Sequence, residues 1–313
     1  MTALQELVSL EPATGAELWR APFGNVDEAV ERARKAWPGW ASQPLARRME
    51  LLRRFVNEVR AEQQEFAELI ARETGKPLWE ARTEVESVMA KVEISIKAYA
   101  ERTGQRKLDS ALQGTAALRH KPHGVMVVLG PYNFPAHLPN GHIVPALLAG
   151  NAVILKPSEK TPAVGEKLIT YFRRAGITPG VIQVLIGGPE EGKALVAHPD
   201  VNGVLFTGSA QVGIAINRKL ATDPGKIVAL EMGGNNPIIV WNTPKHADAA
   251  ALIVQSAFTS AGQRCTAARR LIVKADLFEP VLAEVKKLTD RMLIGAPFDD
   301  PQPFMGPVID NAT

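Results

Sequence analysis

Between Gly124 and Met232, five short apolar runs alternate with stretches of helical spacing, and this alternation limits what the chain can fold into more than any other feature. The runs are VMVVL (125–129), AVIL (152–155), VIQVLI (181–186), GVLF (203–206) and IVALE (227–231). Helices are predicted between them at 139–149, 161–175, 189–197 and 209–221. Strands this apolar suit burial on both faces. Strands that alternate with helices imply right-handed crossovers, so the predicted core is the parallel sheet of an α/β fold. Ligands in such sheets bind beyond the carboxyl ends of the strands. There the chain reads GPYNFP (130–135), KPSEKTP (156–162), GGPEEG (187–192), TGSAQVG (207–213) and MGGNNP (232–237). One such segment is ordinary turn chemistry, whereas five in succession point to a ligand-binding rim.

The first third reads as helical. Apolar residues recur at Met49, Leu52, Phe55, Val56 and Val59, continue through Phe66, Leu69 and Ile70, and stop at TGKP (74–77). A second helix is predicted over 79–102, and 103–124 then loses the period, as an arm or a pair of short strands would. With 313 residues there is room for about two domains. A net charge of +3 without a run of like charges argues against a nucleic-acid platform. The most apolar stretch, 142–155, is broken by Pro145, Gly150 and Asn151 and falls short of the roughly 20 residues of a membrane span. The N-terminus lacks a signal-peptide pattern, and a single cysteine makes no internal disulfide, so a cytoplasmic location is expected.

Several residues admit two readings. Cys265 in SAGQRCTAARR is either a small buried residue, the commoner role of a lone cysteine, or a thiolate favoured by Arg264, Arg269 and Arg270. Glu231 is a strand-terminal carboxylate in water, or a general base raised in pKa by Val228, Ala229 and Leu230. Asn133, between two prolines, is a turn residue or an amide held for an oxyanion. Lys156 and Glu159 are solvated loop charges, or they hold sugar hydroxyls and phosphate. TGSAQVG is not a P-loop, because Ile214 and Ala215 follow its last glycine, and G-x-G-x-x-G is missing. It is a plain strand-to-helix turn, or one whose amides face a pyrophosphate. The six histidines show no metal-ligand spacing, so no metal is expected.

Together these motifs resemble the aldehyde dehydrogenase superfamily. GPYNFP is similar to its oxyanion asparagine motif, with Tyr132 where tryptophan is more usual. KPSEKTP resembles its ribose-binding lysine segment, FTGS (206–209) its cofactor turn, LEMGGNNP (230–237) its glutamate motif and GQRC (262–265) its nucleophile motif. Within the superfamily the resemblance is strongest to the N-succinylglutamate 5-semialdehyde dehydrogenases of arginine catabolism, through GPYNFPAHLPNGHIVPALLAGN, ALEMGGNNP and SAGQRCTAARR. Many relatives carry a lysine at the position of His142.

The resemblance implies a Rossmann-like NAD-binding domain at 1–103 and 123–234, an oligomerisation arm at 104–122 and part of an α/β catalytic domain at 235–313. Because the family continues past the position of Thr313, a C-terminal truncation is expected. The resemblance implies NAD held by Lys156, Ser158, Glu159, Gly188, Gly208, Ser209, Ala210, Gln211, Val212 and Gly213. It makes Cys265 the nucleophile, Asn133 an oxyanion donor with the Cys265 backbone N–H, and Glu231 the base that activates water. A small-molecule aldehyde is then the substrate, and a homo-oligomer the family's assembly. The alternatives are oxidation of another aldehyde, or nucleotide binding without turnover.

Overall fold

The structure, a computed structural model, describes residues 5–104, 106–108, 114 and 116–312, with only the backbone of Lys107 and Leu108. It opens on a hairpin where helix was expected. Strands β1 (Glu6–Leu10) and β2 (Glu17–Pro22) pair antiparallel. Between them Gly15 turns the chain at φ 72°, a conformation that suits glycine, and Pro12 breaks any helix there.

Helices α1 (Val26–Ala41), α2 (Leu45–Ala61), α3 (Gln63–Thr74) and α4 (Leu78–Arg102) follow. The apolar stripe expected to run unbroken from 45 to 74 is split between α2 and α3. Glu62 leaves helical geometry there (φ −121°, ψ 28°), and its carboxylate accepts from Lys167, Tyr171 and Arg174, a tertiary demand that the stripe does not show. The short strands β3 (Arg106–Leu108) and β4 (Ala116–Leu118) pair antiparallel within the segment read as an arm, of which 105, 109–113 and 115 lie outside the described residues.

The predicted alternation then appears in full. Its elements are β5 (Val125–Leu129), α5 (His137–Leu148), β6 (Ala152–Lys156), α6 (Pro162–Arg174), β7 (Ile182–Val184), α7 (Pro189–Ala197), β8 (Gly203–Gly208), α8 (Ala210–Leu220) and β9 (Ile227–Met232). The five strands form one parallel sheet in the order β7-β6-β5-β8-β9. The chain runs outward from β5 to β7 and then returns to the other side of β5. The order therefore reverses between β5 and β8, where a crevice opens at the strand ends.

Alternate residues feed two cores, as a period of two requires. Met126, Val128, Val153 and Leu155 join Phe55, Phe66, Ile143, Leu147 and Phe172 from α2, α3, α5 and α6. Val125, Val127, Ile154 and Val204 join Ala29, Leu195 and Ile216 from α1, α7 and α8. Each fully buried large side chain contributes about 1.5–3 kcal/mol relative to exposure.

A smaller unit follows: β10 (Asn236–Val240), α9 (His246–Phe258), β11 (Ala268–Val273) and α10 (Phe278–Thr289). Strands β10 and β11 pair parallel over a core of Val240, Ile253 and Val281. The segment after α10 returns to α4, where the Trp79 indole donates to Pro303 O at 3.1 Å. Among the described residues no helix is long and apolar enough to cross a membrane.

Candidate active site

The loop after β5 carries Asn133. A Cβ on Gly130 would stand 2.8 Å from Pro139 Cγ, so only glycine lets the loop turn this close to α5. Asn133 is held at three points. Its Nδ2 donates to Gln263 O at 2.7 Å, its Oδ1 accepts from Phe134 N, and its backbone O accepts from Lys76 Nζ at 2.7 Å. Lys76 is buried and paired at 2.8 Å with Glu84, whose other oxygen accepts from Ala136 N and His137 N. A buried ion pair is tolerated when its remaining donors and acceptors are occupied in this way.

The segment before Cys265 is strained. Ser260, Ala261 and Gly262 all have positive φ, at 57°, 53° and 71°. For the two non-glycine residues this costs roughly 1–2 kcal/mol each. Glu80, one helical turn before Glu84 on α4, accepts from both the backbone N–H and the hydroxyl of Ser260. Two buried carboxylates spaced i, i+4 thus hold the loop of Asn133 and the loop of Cys265, and the Asn133–Gln263 bond joins the two loops. The sequence reading missed Lys76, Glu80, Glu84 and Ser260, treating TGKP only as a helix stop. The available signal was that Glu80 and Glu84 fall on the apolar stripe of Ala81, Val85 and Val88, where a charge must find a partner.

Cys265 is exposed, so the buried-core reading does not hold. Its backbone O accepts from Asn236 Nδ2 at 2.6 Å. Of the neighbouring arginines, Arg264 and Arg269 line the same cleft as the thiol, whereas Arg270 donates to Asn235 O. Glu231 is exposed too. The shielding expected from Val228, Ala229 and Leu230 is missing, because those residues are only half-buried. Glu231 lies beside Thr207 across β8 and β9, and Thr207 Oγ1 is 3.0 Å from His142 Nε2. Burial holds His142 below the usual imidazole range, against the opposing charge of Glu231.

Lys156 ends β6 and is buried rather than solvated, with Nζ donating to Pro157 O at 3.1 Å. Burial lowers its pKa, while Glu159 and Glu191 act the other way. Ser158, Glu159, Gly208, Ser209, Gln211 and Val212 line the same cleft as Lys156, Asn133, Glu231 and Cys265. Ser209 caps α8, its Oγ accepting from Val212 N. Gly188, Ala210 and Gly213 stand behind that wall. Gly188 N donates to Glu191, Ala210 opens α8, and a Cβ on Gly213 would meet Met232 Sδ at 2.5 Å, so this glycine lets α8 pack against β9. The cleft measures about 1790 Å³, more than the roughly 300–1,000 Å³ of a typical small-ligand site. A dinucleotide fits this arrangement: a buried cation, a helix N-terminus and small residues meet at the strand-order reversal.

The sequence profile of the aldehyde dehydrogenase family matches residues 2–313. The chain belongs to the aldehyde dehydrogenase family. N-succinylglutamate 5-semialdehyde dehydrogenase of Novosphingobium aromaticivorans is 75% identical over 311 residues, which cover 99% of this chain and 66% of that protein. The protein of the same name from Sphingopyxis alaskensis is 62% identical over 307 residues, 98% of this chain and 64% of its own. Among solved structures, an NADP-dependent enzyme of E. coli superposes with a TM-score of 0.93 at 30% identity, over 98% of this chain and 64% of that one. A 1-pyrroline-5-carboxylate dehydrogenase from Thermus with bound NAD gives 0.89 at 31%, over 98% and 61%. The chain therefore spans a little under two-thirds of the length of the relatives it matches.

Proposed function

We propose that this chain carries the cofactor cleft and the nucleophile of a dehydrogenase that oxidises an aldehyde to a carboxylic acid. The observation that carries this reading is the meeting of Cys265, Asn133 and Glu231 in one cleft at the reversal point of the parallel sheet. The Cys265 thiolate attacks the aldehyde carbon. The oxyanion takes hydrogen bonds from the Cys265 backbone N–H and from Asn133 Nδ2. The Gln263 carbonyl occupies one of the two amide protons of Asn133 and orients the other. NAD held in this cleft would supply the hydride acceptor, so that collapse of the oxyanion leaves a thioester on Cys265. Glu231 then takes a proton from the water that releases the acid.

Lys156, Ser158, Glu159 and the turn from Gly208 to Gly213 are the residues that would hold the dinucleotide, with Gly188 behind them. Glu159 close to Lys156 disfavours a 2′-phosphate and so favours NAD over NADP. For the substrate, the names of the two relatives and the cationic wall of Arg264 and Arg269 support N-succinylglutamate 5-semialdehyde, oxidised to N-succinylglutamate. Within this reading 1–103 and 123–234 are the cofactor domain, 104–122 is the arm of a cytoplasmic homo-oligomer, and 235–313 belong to the catalytic domain.

The test is Cys265→Ser. NADH formation should fall by at least about a thousandfold, with NAD affinity by calorimetry within about twofold of the parent. Full turnover in that variant would sink the assignment. NAD binding without any aldehyde-dependent NADH in the parent would mark a nucleotide-binding module instead.

A further inference from the structure

The cleft that holds Cys265 is also walled by Lys91 from α4 and by His137 and Gly141 from α5. Lys91 has no hydrogen-bond or ion-pair partner among the described residues. Its stem crosses α5 where the helix is bare, since a Cβ on Gly141 would lie 3.8 Å from Lys91 Cε. From there its charge acts on His137 and His142, on either side of Gly141. His137 Nδ1 is buried with no partner, an unusual cost unless something else supplies one. The carboxylate that acts on His137, Glu84, is already taken by Lys76, Ala136 N and His137 N. From the nucleophile loop comes Arg264, half-buried, its guanidinium 5.7 Å from the Phe134 ring centroid and without a carboxylate partner among the described residues. Two uncompensated cations and an imidazole with one unpartnered nitrogen therefore line the cleft that holds the thiol, in a wall that offers no free acidic group from α4 or α5.

We propose that Lys91, His137 and Arg264 form the subsite for the carboxylates that a substrate carries away from its aldehyde. The ligand class is an N-acylated amino-acid semialdehyde with two carboxylates, one at Lys91 and His137 and one at Arg264. Arg264 suits a planar carboxylate through its fork of donors, and Lys91 meets the other as a point charge. Paired carboxylates at fixed separation, rather than aldehyde length, then set specificity. This assignment rests on the reading of Cys265 as the group that attacks the aldehyde.

Because Cys265 is the only cysteine in the chain, its alkylation by iodoacetamide reads occupancy of the subsite without needing turnover. N-succinylglutamate, the product acid, is the probe. It should protect Cys265 in the parent, and more weakly as salt rises. In Lys91→Met and in Arg264→Met the half-protecting concentration should rise at least about tenfold, with Lys91→Arg retaining protection. Unchanged protection in Lys91→Met, or equal protection of the parent by hexanoate, would overturn the subsite.

Turnover supplies the second arm. On N-succinylglutamate 5-semialdehyde, Lys91→Met should lose at least about tenfold in kcat/KM, mostly through KM, and on hexanal nothing. Equal losses on both aldehydes would make Lys91 merely structural and overturn the proposal. If the parent shows Lys91-dependent protection but oxidises no aldehyde, the subsite stands and the dehydrogenase reading fails.

Discussion

The five-stranded sheet and the β10–β11 pair are both parallel and built from similar apolar residues, yet they are covered differently. Every residue of β6 and four of the five in β5 are buried, because helices lie on both faces. In the smaller unit Ile239 is 62% exposed, Trp241 70% and Ile272 46%. Apolar patterning therefore specifies a strand but not its cover, which comes from elements distant in sequence. The consequence for the site is a division of labour. The cofactor side of the cleft rests on a sheet buried on both faces, whereas the loop of Cys265 takes its position largely from α4, through Glu80, and from the Asn133–Gln263 bond.

The hardest test of that division is Glu84→Ala, which leaves the Lys76 ammonium buried without its counter-charge. Urea unfolding should show a loss of about 3–5 kcal/mol, most of it recovered in the double variant with Lys76→Met. A loss under about 1 kcal/mol would mean that α4 does not brace the loops.

Next, Ile154→Ala in the buried sheet should cost about 2–5 kcal/mol, and Ile239→Ala on β10 under about 0.5 kcal/mol. Equal costs would erase the contrast between the two sheets. Amide exchange should agree, with 125–129 and 152–156 protected far longer than 268–273.

The smallest expected effect sharpens the comparison by titrating the larger region alone. Glu73 is buried and accepts from Ser9 Oγ, Ala163 N and Val164 N, tying β1 to the start of α6. Burial, outweighing those donors, lifts its pKa from 4.5 to about 7. The folded state thus keeps a proton that the unfolded chain releases. Stability is full below 4.5 and declines as pH rises to about 7, by up to about 3 kcal/mol. The parent should melt several degrees lower at pH 8 than at pH 5, and Glu73→Gln should remove this pH dependence. A parent melting temperature that rises over that range would overturn the assignment.

Much of the fold was legible because the decisive signals are local. Runs such as VMVVL and AVIL, with glycine or proline after each, announce buried strands and their ends, and all five became one sheet. The N-terminal hairpin was not legible, since β1 and β2 are short and half-exposed and carry little periodicity. Nor was the break at Glu62, whose partners sit on α6 more than 100 residues away.

The site divides along the same line. Asn133, Lys156, Glu231 and Cys265 sit in short motifs whose order in the chain is informative, so the sequence by itself determined the parallel sheet, its rim and the candidate groups on that rim. Only the tertiary structure decided what holds them. Glu84 reaches 52 residues to Ala136, and Glu80 reaches 180 residues to Ser260. The tertiary structure also turned Arg264 and Arg269 toward the cleft and Arg270 away from it. A buried charge finds its partner in space rather than along the chain, so a spacing rule recovers the strands but not the clamp that positions the thiol.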